Sequence, residues 1–178
     1  MIHTDRLLLR PWRDDDAEPF AAMGRDPEVM EHFPALLDRA ESDAAVARIR
    51  AHHEREGFGL WAVEVVGGAP FIGFTGLAHP RWRPEVVEIG WRFARPHWGH
   101  GYATEAARAA LAWGWANLPV DEVDEIVAFV VPANVRSQAV MQRLGMTRDP
   151  AADFDHPLIP AGHPVRPHWL YRIARPRG

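Results

Sequence analysis

Two glycines, one residue apart in Trp98-Gly99-His100-Gly101-Tyr102-Ala103-Thr104-Glu105, lie directly between an apolar strand-like run and a helix-like run of small residues. Glycines at such a turn let the backbone bend tightly and approach a ligand. The first N–H groups of the next helix then point at any anion in front of them. A phosphate is the natural guest. Packing alone also asks for glycines at a strand-to-helix turn, and the loop by itself leaves the two readings level. A dinucleotide fingerprint fits less well, because it needs three glycines after the first strand of a parallel unit and an acid about 20 residues on.

Composition removes other chemistries. The chain has no cysteine, which excludes thiolate nucleophiles, disulfide frameworks and Cys-ligated metals. All 20 basic residues are arginine, so a P-loop lysine, a Schiff-base lysine and a Ser-Lys dyad are excluded too. His97 and His100 flank the loop and His156, His163 and His168 lie near the carboxyl end, but their spacing matches no zinc pattern, and no metal is expected. With 24 acids the formal charge is -4, and no stretch is basic enough to hold a polyanion. Neither nucleic acid nor membrane is an expected partner; the first residues mix Asp and Arg with leucine and do not open on a signal-peptide core. A cytoplasmic protein is expected.

The elements that must position the loop follow from periodicity. Arg6 to Trp12 reads as a strand stopped by Pro11, and Asp14-Asp15-Asp16 as the acidic start of a helix over 17–23. Asp26-Pro27 opens a helical turn over 28–32, and 40–56 reads as an amphipathic helix ended by Gly57. Residues 60–66 and 71–77 form an antiparallel hairpin, and 86–93 a third strand. A helix over 104–115, a strand over 125–131 buried on both faces, a helix over 134–144 capped by Asn134 and a last strand over 168–173 complete the order. No repeat, linker or composition break appears, so residues 1–178 are expected to form one domain. Trp82, between two arginines, is expected to be exposed.

The motifs now stand together. Gly99-x-Gly101-Tyr102-Ala103-Thr104-Glu105-Ala106, the preceding Glu88-Ile89-Gly90-Trp91, and Asn134-x-x-Ser137 followed by Leu144-Gly145-Met146 resemble the GCN5-related N-acetyltransferase (GNAT) family. Thr4-Asp5-Arg6-Leu7-Leu8-Leu9-Arg10 and Asp26-Pro27-Glu28-Val29-Met30 are similar to its RimJ/RimL-like branch, so the likeness extends to Met146. It implies an α+β fold: a mixed, mostly antiparallel sheet with helices on both faces, splayed where acetyl-CoA enters between the strands at 86–93 and 125–131. It implies that Trp98, Gly99, His100, Gly101, Tyr102, Ala103 and Thr104 form the pyrophosphate loop, with Trp98 packing where many members carry Gln or Arg. Asn134 would reach the pantetheine arm, and the backbone at Ile89 and Gly90 would polarise the acetyl carbonyl.

The implied reaction moves acetyl to a primary amine, either a small molecule or a protein N-terminus. Keeping an alkyl amine of pKa ~10.4 neutral at pH 7 costs about 4.6 kcal/mol, against about 1.4 for an α-amino group near 8, so a base is useful. Glu88 holds the family's position for it, acting through a water. The family's usual acid, a tyrosine seven residues after the asparagine, is Met141 here, and Ser137 is its expected replacement. Asp155 and His156 are expected on the acceptor side. The resemblance also fits a non-catalytic acyl-CoA-binding or regulatory domain, and it leaves a homodimer open.

Overall fold

The computed structural model describes residues 1–176. Nine strands and four helices follow one another: β1 (Ile2–His3), β2 (Leu7–Arg10), α1 (Ala17–Arg25), α2 (Arg39–Glu56), β3 (Leu60–Val65), β4 (Gly73–Ala78), β5 (Glu88–Phe93), α3 (Tyr102–Asn117), β6 (Glu125–Val130), α4 (Val135–Arg143), β7 (Thr147–Arg148), β8 (Phe154–Asp155) and β9 (Pro167–Ala174). The sheet order is β1-β2-β3-β4-β5-β6-β9-β7, with β8 pairing β9 at the side. Every neighbouring pair is antiparallel except β5 and β6.

That exception builds the site. Parallel pairing of β5 with β6 is limited to Glu88 opposite Val127, and Val127 N donates to Val87 O at 2.9 Å. β5 then continues to Phe93 and β6 to Val130 without pairing further. Beyond Glu88, the β6-facing edge of β5 therefore carries unused ladder groups.

Alternation along the strands separates two apolar layers. Leu77, Ile89, Phe93, Ile126 and Ala128 join Ala106, Ala110 and Leu111 of α3 and Val140 and Met141 of α4 on one face. Trp12, Phe20, Met23, Val46, Ala62 and Phe74 pack under α1 and α2 on the other. Helices thus cover both faces, as expected. α3 lies close on β4 because Gly114 has no side chain: a Cβ there would sit 2.4 Å from Leu77 Cδ1.

One ion cluster pins the first turns to the sheet. Arg10, 1% exposed on β2, donates from Nη1 and Nη2 to Asp16 and from Nε to Glu64, all at 2.8 Å. The carbonyls of Pro11 and Pro70 accept from it as well. Each hydrogen on the guanidinium has somewhere to go.

The structure differs from the sequence reading in small elements. Residues 27–32 form hydrogen-bonded turns, opened by the bond from Met30 N to Asp26 O at 3.0 Å, that do not propagate into a helix. Asp26 caps this single turn, its Oδ1 accepting from Glu28 N and Val29 N. The two-residue strands β1, β7 and β8 lack the length to show a period in sequence. Trp82 is half-buried, with ring centroids 5.0 Å from Phe129 and 4.8 Å from His156. No helix among the described residues is long and apolar enough to cross a membrane.

Candidate active site

The splay opens into a cleft of about 1710 Å³, bounded by β5, β6, the glycine loop, α4 and the turns before α2. Pockets for a single small ligand usually hold ~300–1,000 Å³, so this cleft has room for two reactants.

At one end lies the loop. Gly99 and Gly101 both have φ of +80°, a conformation that other residues avoid, and Gly101 caps α3. The N–H groups of residues 99–104 donate to no backbone or side-chain acceptor among the described residues. Gly99, Gly101, Tyr102, Ala103 and Thr104 line the cleft, at the positive end of a 16-residue helix. Such a cradle fits a pyrophosphate, and the open edge of β5 fits an extended amide-bearing arm beside it.

Side chains brace the loop from outside. Glu105 accepts from Thr4 Oγ1 at 2.6 Å and from Arg6 N at 3.1 Å and Nε at 2.7 Å, while Arg6 Nη1 donates to His100 O at 3.0 Å. Burial pushes the Glu105 carboxyl up, but bonds from Thr4 and Arg6 bring it below its ordinary value. The turn between β1 and β2 thus holds the loop's shape. Trp98 donates from Nε1 to Phe93 O at 2.7 Å, and the Arg95 and Arg136 guanidinium carbons lie 5.0 and 4.6 Å from its ring centre. His100 is exposed and stacks with Tyr102 at 5.5 Å, outside the cleft lining.

Glu88, Gly90 and Arg92 follow at alternate positions of β5, on the face toward Phe74 and the turns before α2. Glu88 is half-buried, lines the cleft and makes no hydrogen bond among the described residues. Burial raises its carboxyl to about 7. A carboxylate poised there can take a proton at neutral pH. Ile89 lies on the opposite face, in the core.

Across the splay, Asn134 Oδ1 accepts from Ser137 N at 3.1 Å and caps α4. Its amide and the Ser137 hydroxyl line the cleft without another bonded partner, and buried Met141 lies beside them. Of the acceptor-side expectations, His156 reaches the cleft, among Trp82 and His168, with its pKa lowered by burial and by His168. Asp155 does not: it is exposed, and its carboxylate accepts from Arg166 Nε at 3.1 Å. Asp155 ends β8, and His156 follows it with its backbone N–H bonded to Arg166 O at 2.8 Å.

Sequence reasoning passed over Arg92 and treated Arg6 only as part of a motif. A charged residue four places from Glu88, within an otherwise apolar interior strand, was the available signal for Arg92. No group of three or more His, Asp or Glu that could hold a metal ion occurs among the described residues.

Comparison with known proteins agrees with this geometry. The acetyltransferase (GNAT) domain matches residues 6–147. YkkB of Bacillus subtilis is 34% identical over 145 residues, covering 80% of this chain and 83% of its own. A GNAT-family acetyltransferase of Bacillus anthracis superposes with a TM-score of 0.79 at 26% identity, covering 98% of both chains. RimL, a ribosomal L7/L12 α-N-protein acetyltransferase solved with coenzyme A, shares the fold with a TM-score of 0.75 over 96% of this chain and 95% of its own, at 13% identity. The chain belongs to the GNAT acetyltransferase family.

Proposed function

We propose that this chain, one domain across residues 1–178, transfers an acetyl group from acetyl-CoA to a primary amine in the cytoplasm, by direct attack with both reactants bound. The observation that carries this reading is the β5–β6 splay opening beside the unpaired N–H groups of the glycine loop and the start of α3. Acetyl-CoA supplies a thioester carbon open to an uncharged amine, with the thiolate as leaving group.

The chain's own groups do the rest. Amides of residues 99–104 and the α3 dipole hold the pyrophosphate, with Arg6 and Glu105 keeping the loop in shape. Asn134 orients the pantetheine arm, and the open β6-facing edge of β5, next to Ile89 and Gly90, meets charge building on the carbonyl oxygen. Glu88 takes the proton of the incoming ammonium through a water, and Ser137 offers a proton toward the leaving sulfur. His156 borders the acceptor.

The test has two parts. Titration of acetyl-CoA into the protein by calorimetry should give saturable binding that Gly101→Val weakens. Incubation with primary amines should then release free thiol in step with amine acetylation. Binding without release for any amine would leave the acyl-CoA-binding domain as the reading; no binding by folded protein would remove both.

A further inference from the structure

Among the described residues five arginines line the cleft: Arg6, Arg92, Arg108, Arg136 and Arg143. Arg6 pairs with Glu105 and Arg136 with Glu31 at 2.8 Å, while Arg108 and Arg143 are exposed to water. Arg92 has no carboxylate partner and is not exposed. Its Nε and Nη1 are sealed from solvent without an acceptor, and it makes no ion pair among the described residues. Its guanidinium carbon lies 4.1 Å from the ring centre of Phe33 and 5.5 Å from that of Phe74. An unpaired cation sealed from solvent is costly to keep, and contacts with aromatic rings offset that cost only in part.

The floor beside it is empty. A Cβ built on Gly90 would meet nothing within 4 Å, although the residue sits in the middle of an interior strand. Alternate residues of a strand lie ~6.6–7 Å apart, so the vacant position separates Glu88 from Arg92 by one step on each side. The strip presents a carboxyl, a gap and a cation in line.

We infer that the acceptor is an amino carboxylate, lying over Gly90 with its amine toward Glu88 and its carboxylate on Arg92. Glu88 and Arg92 stand two such steps apart, so a carboxylate on the carbon bearing the amine, or on the next one, takes Arg92 directly while the amine reaches Glu88 through a water. The flat guanidinium, held against Phe33, offers its edge, and a planar carboxylate meets that edge with two parallel hydrogen bonds. Desolvation draws the Arg92 pKa down to about 10, which still leaves it charged at neutral pH. A polyamine would bring a second cation toward Arg92 and be disfavoured. The inference rests on the acetyl-transfer reading and narrows its acceptor.

Matched acceptors test it: phenylalanine against phenethylamine, tryptophan against tryptamine, and methionine against its decarboxylated amine. Each is assayed for thiol release and for binding by calorimetry in the presence of CoA, with rates corrected for the neutral fraction of each amine. The amino acids should win by at least about tenfold in kcat/KM, a usual size for a charge-assisted pair. Arg92→Met should bring that ratio to about one, and Arg92→Lys should keep part of it, with thermal melts confirming that both variants fold. Equal use of both members of every pair, or a preference that survives Arg92→Met, overturns the inference and leaves acetyl transfer standing. A loss of CoA affinity in Arg92→Met overturns it by making Arg92 a cofactor anchor. Tight CoA binding with no acceptor bound or consumed overturns both readings.

Discussion

Two arginines of the central sheet have opposite surroundings. Arg10 on β2 is almost wholly buried and gives its hydrogens to two carboxylates and two carbonyls. Arg92 on β5 buries two nitrogens and gives them to nothing. Each is a cation in an apolar layer, but only Arg10 is satisfied by the fold itself. A buried charge that folding satisfies secures structure; one that folding leaves unsatisfied marks where a ligand must complete the network. Glu88, also unpaired, stands on the same strip as Arg92.

The largest effect should come from breaking the satisfied network. Arg10→Met strands the buried Asp16 carboxylate and should cost about 3–5 kcal/mol of stability, read by urea unfolding. Had the two arginines been equivalent, Arg92→Met would cost as much.

Glu88→Gln comes next and acts in two directions. It should lower kcat by about a hundredfold or more while leaving acetyl-CoA affinity near wild type. It should also remove the acid limb of the kcat/KM profile, which falls below pH 7 as the Glu88 carboxyl, raised to about 7 by burial, takes up its proton. The stability effect has the other sign. A folded pKa above the unfolded value means the folded state binds the extra proton, so stability falls as pH rises from about 4.5 to about 7. Glutamine has no such loss, and the variant should unfold about 2–3 kcal/mol later than wild type at pH 8. A gain in stability with a loss of turnover is what a strained functional carboxylate predicts.

These two regions also differed in how far sequence revealed them. The strands and helices were legible because they run apolar or repeat over six residues or more, as in Glu125–Val130 and Arg39–Glu56, and the loop because Gly99 and Gly101 sit at a strand–helix junction. The cleft was legible only through resemblance, since the place where β5 and β6 part depends on long-range pairing that no local pattern encodes. The Arg10 cluster joins residues 10, 16, 64 and 70, again by tertiary contact. Arg92 was hidden for a subtler reason: a charge on a strand reads as a solvent-facing residue, and Phe33, which covers it, comes from turns 59 residues away. Asp155 and His156 read alike in sequence, and the structure parts them because the Asp155 carboxylate is taken by Arg166 while His156 lies against Trp82 and His168.

At the loop the contrast can be sharpened with a smaller change. Gly101→Val places a branched side chain at φ +80°, with Arg6 Nη2 only 3.5 Å from the new Cβ. Acetyl-CoA affinity should fall about tenfold or more by calorimetry, through lost aim of the amides, while the core contacts of α3 remain.

The smallest effect is the most discriminating. Arg92→Met removes a cation that has no partner and leaves a side chain of similar length against Phe33 and Phe74. Its loss forfeits the contact with those rings, worth about 0.5–1 kcal/mol where such pairs are exposed and more where they are desolvated. Its loss also removes the desolvation cost that draws the guanidinium pKa down to about 10. The two oppose each other, so stability should stay within about 1 kcal/mol of wild type, or rise, by the urea measurement applied to Arg10→Met. A penalty near that of Arg10→Met would mean that Arg92 supports the fold, and the strip from Glu88 to Arg92 would lose its claim on the acceptor.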